Sequence, residues 1–187
     1  SEFIIFEPRD CEVKKWFGNF KNVKYIKTSL LSTNSIQRYV YGLFYWQKIL
    51  KNINYDILEW FHLPLINLEK KKTLLTIHDV RYNKFPHLYS LPRRLVANSV
   101  LLNSLNNANT ILTVSQSIKN ELLKYDSKKN IQVIYNGLEN NFYYPSTSEE
   151  IEKVKIKYNI NHNFVLTVGS LEKRKNLPIL LKSIGLL

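Results

Sequence analysis

Methionine is absent from all 187 residues, position 1 included, so the sequence does not read as a whole primary translation product and a fragment is expected. Cysteine occurs once, at Cys11, and no Cys/His cluster has the spacing of zinc ligands. An internal disulfide is therefore excluded, and a reducing compartment and a metal-free fold are expected. No stretch approaches the roughly 20 apolar residues needed to cross a bilayer. The opening SEFIIFEPRD carries charge where a signal peptide needs its apolar core. The expected address is the cytoplasm. Glycine numbers only five, and none of them stands in a G-x-G-x-x-G or Walker arrangement.

What is present is enough apolar material for a core: 44% of the residues are hydrophobic and 13% aromatic, which suits one domain, or one domain and part of a second. The formal net charge of +12 attracts anions, among them nucleic acid, acidic lipid and phosphorylated small molecules. The plain alternative is background composition, since Lys, Asn, Ile and Tyr are abundant together and Lys suits solvated faces.

Short apolar runs alternate with helical patterns along the chain. EFIIF (residues 2–6), DILEWF (56–61), TLLTIHD (73–79), TILTVS (110–115), IQVIYN (131–136) and FVLTVGS (164–170) each have strand length and β-branched or aromatic content. Helical spacing follows Thr33, runs from about Pro92 to Ala108, covers residues 116–125 behind a cap at Ser115, and returns in EEIEKVKIKY. Continuous apolar strands separated by helices predict an α/β fold, a Rossmann-like parallel sheet covered on both faces. The polar stretch ENNFYYPSTSEE breaks that rhythm. A boundary is expected there, with residues 1–145 as a first domain and residues 146–187 as the truncated start of a second Rossmann-like one.

In an open parallel sheet, ligands bind beyond the carboxyl ends of the strands, where helix N-termini also gather. GSLEKRKN lies at such an edge. Gly169 lets the backbone approach a ligand, the helix start near Asn176 favours an anion, and Arg174 and Lys175 add two cations, an arrangement suited to a diphosphate. A solvated Lys/Arg turn would look the same in isolation.

FVLTVGSLEKRKNLPILL resembles the first strand, loop and helix of the C-terminal domain in the retaining glycosyltransferases of family 4, where a VG-(T/S)-LE-x-RKNL pattern is common. TLLTIHDVRYNKFP, ANTILTVSQSIKNELLKY and IQVIYNGLENNFY resemble further segments of that family in the same order, covering the chain from about Tyr55 to Leu181. The resemblance implies a GT-B architecture of two Rossmann-like domains facing a cleft, the acceptor held mainly by the first and a nucleotide-sugar donor by the second. Gly169, Ser170, Arg174 and Lys175 would then hold the donor diphosphate. His78 matches the family histidine that reaches the sugar, and Asp79 is expected to orient the loop or His78 rather than act as a nucleophile. Ser115 reads first as a helix cap and Asn136-Gly137 as a turn, with cleft contact secondary for all three.

Departures from the family pattern matter equally. The usual first strand and glycine-rich loop are missing, the glutamate pair that contacts donor sugar and ribose would lie beyond Leu187, and Ser170 stands where many relatives carry arginine. Glu59 occupies a position where many relatives have histidine, with His62 three residues on, and neither is assigned a role. These residues alone are therefore expected to be inactive. The favoured reading is a glycosyltransferase of surface polysaccharide biosynthesis that uses a nucleotide sugar, a glycan or lipid-linked acceptor, no cofactor and no metal, with peripheral contact to an anionic membrane and no specific nucleic acid. A non-catalytic acceptor-domain module and a basic nucleic-acid binder, suggested by Tyr and Lys interleaved in NVKYIK and LLKYDSKKN, remain as alternatives.

Overall fold

A computed structural model describes residues 1–33, 35–66 and 72–185. The fold is α/β with parallel sheets, as the alternation of apolar strands and helices predicts. Strands β1 (Phe3–Glu7) and β2 (Val23–Lys27) form a parallel pair. Strands β3 (Ile57–Trp60), β4 (Lys72–Ile77), β5 (Thr110–Thr113) and β6 (Ile131–Val133) form a second parallel sheet in that order. Helices α1 (Lys14–Phe17), α2 (Ser35–Leu50), α3 (Arg81–Lys84), α4 (Leu91–Asn107) and α5 (Gln116–Leu123) supply the crossovers, and α6 (Ser148–Tyr158) and α7 (Leu177–Ile184) follow.

The core sits on β4 and β5. Leu75, Ile77, Ile111 and Leu122 are fully buried, joined by Leu101 and Leu105 of α4, whose spacing of four puts them on one helix face. Burying four such side chains stabilises the fold by about 1.5–3 kcal/mol each. Polar groups inside are paired: the buried Ser104 hydroxyl accepts from Leu65 N at 3.0 Å and donates to Val100 O at 2.7 Å. Asn109 Oδ1 accepts from Thr73 N at 2.8 Å and fixes the junction of α4 with β4 and β5.

Among the described residues β1 and β3 do not pair, and their carboxyl ends are bridged by α2. Trp46 stands edge-on to Phe6 at 5.1 Å and to Trp60 at 5.4 Å between ring centroids. A correction concerns residues 164–170, which form no strand. Leu166 is 74% and Val168 85% exposed, since a single strand without a neighbour has no ladder to join and no face to bury. Residues 146–185 accordingly hold helices α6 and α7 and a short 3-10 turn between them, and no strand. Helix α6 is well specified locally, by a capping box between Thr147 and Glu150.

Candidate active site

Strand β4 ends at Ile77, whose buried side chain anchors the next two residues at the carboxyl edge of the sheet, where both are exposed. His78 Nε2 lies 3.1 Å from Phe61 O. A carbonyl oxygen only accepts, so Nε2 carries the proton and, in the neutral ring, Nδ1 keeps its lone pair. The ring of His62 is 6.3 Å away. Asp79 turns to Arg81: its Oδ1 accepts from Arg81 N at 3.4 Å and lies 3.6 Å from Arg81 Nε. Its contacts among the described residues are thus with the loop, not with His78. Arg81 Nε is buried and without a hydrogen-bond partner among those residues.

Ser115 caps α5, its hydroxyl accepting from Ile118 N at 3.3 Å. The charged turn is held by Glu172, which accepts from Ser170 Oγ at 2.7 Å, from Arg174 Nε at 2.7 Å and from Arg174 Nη2 at 3.3 Å. Those contacts, the Arg174 hydrogen bond first and the Ser170 hydroxyl second, push the Glu172 carboxyl down to about 2. Lys175 Nζ has no such partner among the described residues, and its side chain passes Gly169, where an added Cβ would meet Lys175 Cε at an ordinary 3.7 Å.

Two cavities flank the turn after β4. One, of about 300 Å³, is lined by Asp79, Val80, Arg81, Lys84, Phe85, Ser115, Ser117, Ile118, Glu121 and Arg174. The other, of about 500 Å³, is lined by His62, Leu63, residues 79–83, Pro92, Arg93, Val96, Ala97, Val100 and Leu101. Asp79, Val80 and Arg81 form the wall between them. The structure therefore brings Asp79, Ser115 and Arg174 together on the smaller cavity. Gly169, Ser170 and Lys175 line neither cavity, and Asn136 and Gly137 are exposed on a turn that also lines neither.

Arg81, Lys84 and Ser117 were not legible as site residues. Lys84 Nζ reaches Ser117 Oγ at 3.5 Å, joining α3 to α5 across the smaller cavity. The available signal was the basic spacing in HDVRYNK directly after a strand end. His62 lines the larger cavity, whereas Glu59 lines neither and has its carboxyl pKa raised by burial.

The model of glycosyltransferase family 4 matches residues 7–142, which take in strands β2 to β6 and the wall shared by the cavities. No curated protein matches the chain.

Proposed function

The chain belongs to glycosyltransferase family 4, and from that membership we propose that it transfers a sugar, with retention, from a nucleotide-sugar donor to a glycan or lipid-linked acceptor. The observation that carries this reading is the smaller cavity, where Arg81, Lys84 and Arg174 converge beside Asp79 and Ser115 at the carboxyl edge of a parallel sheet. Three cations, Arg81 and Lys84 from α3 and Arg174 from the charged turn, suit a diphosphate. In a GT-B arrangement the segment from about Ser146 would belong to the donor side, which fits the arrival of Arg174 at this cavity. Lys175 and the backbone at Gly169 and Ser170 would complete the contacts when the donor binds.

Breaking the sugar–phosphate bond leaves added negative charge on the departing nucleoside diphosphate. Fixed cations stabilise that charge more than they stabilise the ground state. One cation at ~4 Å contributes about 4 kcal/mol at an effective dielectric near 20. If half of that is specific to the transition state, the gain exceeds roughly tenfold in rate. His78, with Nδ1 available as an acceptor, would hold a hydroxyl of the transferred sugar or of the acceptor. The surface glycan setting rests on the likeness of motifs described above.

The test is a panel of nucleotide sugars offered to the native enzyme, with products read by mass spectrometry and anomeric configuration by NMR. Transfer with retained configuration is expected, and His78→Ala should lower turnover without changing the donor used. Inversion would remove the retaining assignment, and binding of the chain to nucleic acid with no transfer from any donor would favour the basic-binder alternative.

A further inference from the structure

The larger cavity differs in chemistry from the smaller one, and we infer that it holds the acceptor as a lipid phosphate, an apolar chain carrying an anionic head. This inference rests on the transferase reading and names the acceptor class for it. The floor is made by Val80, Ala97, Val100 and Leu101, two of which, Val80 and Leu101, belong to the hydrophobic core. A cavity of about 500 Å³ is of ligand size, and its apolar floor suits an alkyl or isoprenoid chain while its polar lining, His62, Asp79, Arg81, Asn83 and Arg93, suits a head group.

The rim supplies the charge. The Arg93 guanidinium lies 5.5 Å from the ring centroid of Tyr82 and 5.6 Å from that of Tyr89, two rings 4.5 Å apart. Its Nη2 donates to Tyr82 Oη at 3.3 Å, and among the described residues no carboxylate lies within ion-pair distance of it. Ring contact engages the face of a guanidinium and leaves its in-plane N–H groups for an anion, which a phosphate takes bidentately. Arg81 stands on the same rim with Asp79 as partial counter-charge, so two cations meet one carboxylate. From Val96 on the cavity wall the apolar surface continues along α4 to Leu95 and Leu91, each of the three at least 60% exposed, which gives the rest of the ligand's chain a path toward a bilayer. The head would lie next to His62 and the turn after β4, across the shared wall from Arg174.

Isothermal titration of the full chain with decyl phosphate, decyl maltoside and inorganic phosphate, each below any micelle concentration, tests the assignment. Decyl phosphate is expected to bind at least tenfold more tightly than decyl maltoside, and inorganic phosphate not to saturate over the same range. Arg93→Ala should abolish the difference between the two amphiphiles. Ala97→Trp, or Ala97→Leu should the larger side chain prevent folding, should weaken both by tenfold or more with an unchanged melting temperature. Equal affinity for the two amphiphiles, indifference to Arg93→Ala, or no binding of decyl phosphate would each overturn the inference. A nucleoside diphosphate titrated into the same sample separates the two readings. If it binds and decyl phosphate does not, the acceptor class is wrong and transfer stands; if only decyl phosphate binds, the donor reading is the one that fails.

Discussion

Arg174 and Lys175 are neighbours in sequence and are held differently. Arg174 is forked onto Glu172, whereas Lys175 Nζ has no partner among the described residues, so Lys175 offers the less compensated charge to a donor. The Glu172 carboxyl should titrate near pH 2 by NMR, and Arg174→Ala should move it back toward 4.5. The sign follows from the depressed value: the contact contributes stability above the unfolded value of about 4.5 and loses it as pH falls toward about 2. The pair is exposed, so solvent screens that contribution. An unchanged Glu172 titration in Arg174→Ala would contradict the described fork. The positions of His78 and Asp79 after β4 and of Ser115 as the cap of α5 were legible because sequence marks strand and helix ends, whereas the strand expected before the basic pair did not form. Arg93 was not legible, because its place on the larger cavity beside Arg81 depends on how α4 packs against α3, which no local spacing encodes.

The inner strands β4 and β5 were legible for a related reason: a strand inside a parallel sheet is covered on both faces and therefore reads as a largely apolar run. Strand β2 escaped because VKYIK places Lys24 and Lys27 at exposed positions of an edge strand, and the alternation looked like a basic–aromatic surface. Residues 164–170 misled in the opposite direction, since an apolar run states that a segment can be buried and not that a partner is there to bury it. The central role of β5 can be checked directly. Ile111 is fully buried between β4 and β6, so Ile111→Ala should destabilise the chain by about 2–5 kcal/mol in chemical denaturation. A loss within the range of a surface substitution, about 0.5 kcal/mol, would show that the core does not depend on this sheet.

At the scale of the whole molecule, a net charge of +12 is combined with apolar side chains exposed along α4 and α2, among them Leu95, Val40 and Phe44. No helix of the described residues is long and apolar enough to cross a membrane. Dispersed cations beside apolar surface favour peripheral contact with acidic lipid. Co-sedimentation with vesicles should therefore rise with anionic lipid content and fall as salt shortens the screening length to about 8 Å at 0.15 M. Association indifferent to both would remove the peripheral contact. The central claim, that a charged turn and the edge of a parallel sheet together hold a donor diphosphate, is tested most directly by Lys175→Ala in the native enzyme, with kcat/KM for a nucleotide sugar and the melting temperature measured together. The account predicts a fall in kcat/KM on the order of 10² or more with an unaltered melting temperature, because a contact to a developing anion is lost from an exposed side chain. Near-normal turnover would contradict it and return the turn to a solvated surface feature.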